Sequence, residues 1–155
     1  MLTRHWLNKL SIILLALFFQ SCREQKTGFV DIYKLVSEFE LQKEYTERAR
    51  KEYDRARTAI DSVVFVAQLK HPETAEAIKN ELYGDLSRKT EAYNKDIEQM
   101  IWTRLNPYIS DFGKEHGYDY IYGANGTGNV LYAAESRDIT VEVIQYVNDR
   151  YHDKK

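Results

Sequence analysis

The chain has 155 residues and a formal net charge of −2. That length allows one domain, and that charge excludes a basic nucleic-acid binder. Its single cysteine, Cys22, excludes a disulfide framework and a cysteine-based zinc site within one chain.

Residues 1–21 read as an export signal. Arg4, His5 and Lys9 form a positive flank. Leu10 to Phe19 is an apolar run, shorter than the roughly 20 residues that span a bilayer. Phe19-Gln20-Ser21-Cys22 then places a small residue directly before the only cysteine, which resembles a bacterial lipoprotein signal. In that class cleavage precedes the cysteine, so Cys22 becomes the lipid attachment site and the membrane is reached through the N-terminal lipid. Each buried methylene of such a lipid contributes about 0.8 kcal/mol. The alternative is an ordinary secretory signal with a spare cysteine at its end. Loss of the signal removes Arg4 and Lys9 and takes the net charge from −2 to −4. The expected layout is a signal over 1–21, a tether over 22–27 and one folded domain over 28–151. From Arg23 to Thr27 the tether reaches about 17 Å at most, so the domain begins close to the membrane surface.

Gly28 to Tyr33 is rich in aromatic and β-branched residues and reads as a short strand. Ser37, with Glu40 three residues on, reads as a capping box that starts a helix. That helix is expected to run to about Leu69. Ala49, Tyr53, Ala56, Ile60, Val63 and Ala67 alternate spacings of 4 and 3, a coiled-coil seam. The mixed charges between Lys43 and Arg57 have two readings, a cationic surface for a client or a solvated face with intrahelical pairs.

The end of this helix differs in kind. Val63-Val64-Phe65-Val66-Ala67 is apolar on every side, and a two-helix arm covers only one stripe. Val64, Phe65, Val66 and Leu69 are therefore expected to include exposed residues, unless the second helix wraps more than one side. His71-Pro72-Glu73 makes the turn, with Pro72 suited to the first helical position. A second helix follows to about Glu115, with Ala75, Ile78, Leu82, Leu86, Tyr93, Ile97, Ile101, Leu105, Tyr108 and Phe112 as its inner stripe. Pro107 removes a helix hydrogen bond and predicts a bend or a hinge.

The helical hairpin thus occupies 37–112, and residues 28–36 and 113–151 form a body. Gly117 stops the second helix. Tyr118 to Tyr122 and Val130 to Ala133 read as two strands joined by turn chemistry at Asn125-Gly126-Thr127-Gly128-Asn129, a β-hairpin. Asp138 or Thr140 caps a last helix with Ile139, Val143, Val147 and Tyr151 on one face. The fold class is α+β. A sheet this small has open edges, and a hairpin this long has almost no interior, so self-association is expected.

Chemistry is not visible. His71, His116 and His152 are scattered, without the spacing of helical metal ligands. The glycines between 123 and 128 have neither phosphate-loop spacing nor a following helix. No G-x-S-x-G elbow is present. An enzyme is not expected, nor a metal or other cofactor.

The succession of Gly28-Phe29-Val30-Asp31, a long charged hairpin, Tyr118-Asp119-Tyr120-Ile121, Val130-Leu131-Tyr132-Ala133 and Asp138-Ile139-Thr140 resembles the Skp/OmpH family over residues 28–151. That resemblance implies a homotrimer, with a β-barrel body built from three chains and three helical tentacles around a cavity. It implies a periplasmic holdase that covers unfolded outer-membrane or periplasmic proteins without ATP. On this reading Tyr45, Tyr53, Val64, Phe65 and Leu69 are the client-binding candidates, and the outer membrane is the expected home of the lipid. The best-known members are basic and soluble, whereas this chain is mildly acidic after its signal. A different reading makes the arm a structural adaptor that docks one envelope partner.

Overall fold

The computed structural model describes residues 24–153. Along the chain run β1 (Thr27–Asp31), α1 (Ile32–Glu38), α2 (Glu40–Lys70), α3 (Pro72–Glu115), β2 (Tyr120–Ala124), a 3-10 turn (Glu135–Arg137) and α4 (Thr140–His152). The class is α+β: α2 and α3 fold back on each other as a long hairpin, and the remaining elements gather at its base.

The strand at the start is shorter than expected and leads into a helix of its own. Asp31 accepts the Lys34 N–H at 3.0 Å and caps α1. Ser37 therefore does not open the long helix; it lies inside α1 and donates to the Lys34 carbonyl. The break between α1 and α2 falls at Phe39, whose backbone is extended. Phe39 is completely buried and meets the Tyr151 ring edge-on at 5.7 Å. Burying that ring outweighs the local capping preference, which is why a capping box two residues earlier does not set the boundary.

The turn at the far end follows the sequence. His71 separates the two long helices and Pro72 opens α3. Pro107 lies inside α3, which continues on both sides of it. At the base, α3 closes on Gly117, which takes a φ of 69°. Gly117 N–H reaches the Lys114 carbonyl at 3.3 Å and Tyr118 N–H the Gly113 carbonyl at 2.8 Å. These are the paired bonds of a helix end that passes through a left-handed residue.

β1 and β2 pair in parallel, Thr27 opposite Tyr120 and Asp31 opposite Ala124. The expected β-hairpin between Tyr118–Tyr122 and Val130–Ala133 is not formed. Among the described residues, 130–133 belong to no strand, and the sheet has two strands. Two things favour β1 as the partner of β2. Lys26 and Asp119 are tied by Asp119 N–H to the Lys26 carbonyl and by Lys26 N–H to the Asp119 carboxylate, both at 2.8 Å. Strand 130–133 would also lay Leu131 and Tyr132 over solvent, since no layer among the described residues covers them. The other edge of β1 is met by the segment before α4, with Ile139 N–H donating to the Phe29 carbonyl at 3.0 Å.

The core sits where α1, the base of the hairpin and α4 meet. Leu35, Phe39, Ile101, Leu105, Val143 and Val147 are its fully buried side chains. α4 buries the face expected of it, with Ile139, Val143 and Val147 inside and Tyr151 half-buried. Asp138 accepts the Thr140 N–H at 2.9 Å, and Thr140 in turn accepts the Asp31 N–H through its hydroxyl. The N-cap position itself falls on Ile139, which makes no side-chain cap bond, so neither expected residue occupies it; Asp138 just before it accepts from the first helical N–H.

Candidate functional site

The arm is a two-helix structure with little interior, so what it offers is surface. Between Leu41 and Val64 no residue of α2 is fully buried; Ala49, Ala56 and Ile60 are half-buried along the seam. The charges around them pair within the helix: Arg48 with Glu44 at 4.0 Å, Lys51 with Glu47 at 3.4 Å and Arg55 with Glu52 at 3.8 Å. The mixed run is thus a solvated face with intrahelical pairs, each worth a few tenths of a kcal/mol. Across the arm the Tyr83 hydroxyl donates to the Asp61 carboxylate, which Arg57 also faces at 3.9 Å. The hydrogen bond to that carboxylate holds the Tyr83 phenol above its ordinary pKa. Nearer the body, the Lys43 ammonium bonds Glu38 and lowers its carboxyl pKa.

The far end is apolar on two sides. Val64 and Ala67 turn inward, Val64 with only 7% of its surface open. Phe65 at 60% and Leu69 at 71% are exposed, and Val63 and Val66 are about half exposed. Val64 is therefore a seam residue, turned away from the exposed side chains around it. The seam residue expected one position earlier, Val63, is outside. Spacings cannot separate them: Val63 and Val64 both stand three and four residues from Ile60 and Ala67. Which one faces α3 is decided by the partner helix.

Tyr53 is exposed and borders a groove of about 500 Å³ with Arg48, Glu52, Leu86, Lys89 and Tyr93. Tyr93, expected on the inner stripe, is exposed there as well. Tyr45 is half-buried against the body core, with the Arg48 guanidinium 5.8 Å from its ring centre. It belongs to the base of the arm, apart from the exposed end. A second groove of about 470 Å³ lies at the elbow, lined by Tyr33 and Val36 of α1, Ala49 of α2 and Ile97 and Trp102 of α3. Nothing in the sequence pattern marks this groove, because the residues of α1 divide there between a strand ending at Tyr33 and a long helix starting at Ser37. Cys22 lies outside the described residues.

Among the described residues no three His, Cys, Asp or Glu side chains come together as a metal site. No described helix is long and apolar enough to cross a membrane.

The family model described as Outer membrane protein (OmpH-like) matches residues 68–147. The match takes in the end of α2, all of α3, β2 and more than half of α4, and so covers over half of the chain. No curated protein matches it. β1 and most of α2 precede the matched stretch, and they join it through the parallel pairing with β2 and the packing of the hairpin. The family is associated with periplasmic chaperone function without enzymatic turnover. The chain belongs to the OmpH-like family.

Proposed function

We propose that this protein is an ATP-independent holdase for unfolded outer-membrane and periplasmic proteins, working in the periplasm as a lipid-anchored homotrimer. Residues 1–21 are its export signal, Cys22 carries the lipid and 22–27 tether the domain over 28–151 to a membrane, the outer one. The body comprises 28–36 and 113–151, and the hairpin over 37–112 is the part that meets clients.

The observation that carries this reading is the end of the arm. Phe65, Leu69, Val63 and Val66 form an exposed apolar cluster on an element that the fold does not need to be apolar there. Contiguous apolar surface of this kind marks interaction sites in soluble proteins. Further along the arm, Tyr53 and Tyr93 add exposed rings beside a separate groove, each keeping a polar tip in water. An unfolded barrel protein offers apolar segments without defined shape, and an exposed cluster of aliphatic and aromatic side chains with no polar partner to satisfy asks for none. Family membership supports the same reading.

The test is aggregation of a denatured outer-membrane barrel protein, followed by light scattering. Stoichiometric trimer should suppress it, and failure to do so ends the proposal. Phe65→Asp should weaken suppression several-fold while the far-ultraviolet circular dichroism stays unchanged. Full activity in that variant would remove the arm end from the mechanism.

A further inference from the structure

Of the backbone groups that the break between α1 and α2 leaves without helical partners, a side chain from the last helix takes one on each side of Phe39. The Glu40 N–H donates to Asn148 Oδ1 at 2.9 Å, and Asn148 Nδ2 donates to the Glu38 carbonyl at 3.1 Å. A carboxamide is the neutral side-chain group that offers an acceptor and a donor side by side. Asn148 thus does from a distant element what a local cap does at other helix starts, and Phe39, the N-cap residue, makes no side-chain cap bond.

Two neighbours on α4 reinforce the contact. The Tyr151 hydroxyl donates to Glu44 at 3.2 Å while its ring packs against Phe39. His152 Nε2 stands 2.9 Å from Glu40 Oε2. Three residues of one helix end therefore grip the first turn of the arm and the break before it. Of the three, only Asn148 addresses the main chain on both sides of Phe39.

We propose that Asn148 is a positioning residue that fixes the direction in which the arm leaves the body. The extended backbone at Phe39 is the one interruption between α1 and the arm. With the carboxamide in place, both sides of that interruption are held to α4, and the arm and body move as one piece. Without it, α2 keeps its own hydrogen bonds and its packing on α3, which still runs unbroken into the body, but the main chain on either side of Phe39 loses its tie to α4 and the junction loosens. This inference goes beyond client binding and does not depend on it.

The experiment uses the full chain. Spin labels on ketone-bearing residues at Ser62, near the arm end, and Glu142, on α4, leave Cys22 untouched. Labelled chain is diluted with unlabelled chain so that only distances within one chain are read. The natural residue should give one narrow distance distribution. Asn148→Ala should broaden it, and should speed exchange of the Glu40 amide about fivefold, the loss of a helix cap of ordinary strength. Asn148→Asp keeps the volume and the acceptor for Glu40 N–H but loses the donor to Glu38. It should broaden the distribution less, and it serves if the alanine variant does not fold. An unchanged distribution in a folded variant, either one, overturns the proposal. Broadening accompanied by loss of the near-ultraviolet signal of the body also overturns it, since α4 would then be structural only. No client enters the measurement, so its outcome is separate from that of the aggregation test.

Discussion

Gly123 shows how closely the body is fitted at the scale of one residue. A Cβ built there would run into Ile32 Cδ1, with Ile32 Cγ1 next nearest. β2 carries the glycine and α1 the isoleucine, so the contact sets how near the strand lies to the first helix. Gly123→Ala should therefore destabilise the protein by about 1–3 kcal/mol, the usual range for overpacking a tight site. Denaturant unfolding reads that loss. Ile32→Val deletes the nearest clashing carbon, so the double variant should recover part of it, a coupling of about 0.5–3 kcal/mol for residues in contact. Simple additivity of the two changes would show that the glycine is there for another reason. Nothing in the sequence marks Gly123 in this way. It sits among glycines that read as turn chemistry, and only the packing of a helix that was not anticipated reveals its use.

The arm is where sequence and structure agree best, and where their disagreements teach most. Two long helices, the turn at His71 and the start at Pro72 follow from composition and proline position. The inner stripe of α3 near the body follows too, with Ile97, Ile101, Leu105, Tyr108 and Phe112 all buried. What periodicity does not decide is the choice between Val63 and Val64, because two spacings fit. At the base the misreading has a different cause. Ser37 and Glu40 satisfy a local rule, and the burial of Phe39 together with the reach of Asn148 overrides it. Long-range partners of this kind leave no trace in a local pattern. Substitutions at the arm end test the assignment directly. Val64→Asp places a carboxylate in the seam without a partner and should cost about 1–3 kcal/mol or more, seen as faster amide exchange around the His71 turn. Phe65→Asp, one residue on, should leave exchange there unchanged. Equal effects from the two would mean that the end of the arm buries both sides.

At the scale of the molecule, the body is short of something to cover it. β1 has a neighbour on each edge, β2 on one and the Asp138–Ile139 segment on the other. β2 has one, since the expected third strand is not there to pair with it. Tyr120 and Tyr122 stack on each other at 6.0 Å and remain half exposed. After them come Leu131 at 92% and Tyr132 at 87% exposure, on the segment that reads as a strand but pairs with no strand among the described residues. Strand-like sequence, an open edge and uncovered aromatic residues occur together in this one region. A lone chain leaves all of them in water, whereas neighbouring copies would pair the edge and bury the side chains in the same step. The expected outcome is a particle of three times the chain mass by light scattering, with 130–133 protected from amide exchange. Leu131→Arg combined with Tyr132→Glu should convert it to monomer while leaving the arm helical. The order of events matters for what the arms can do. In the proposed trimer three arms would converge on a shared space only when the bodies join, so the monomeric variant should also lose most of its suppression of client aggregation. If it stays monomeric and keeps full suppression, each arm acts alone and the cavity plays no part.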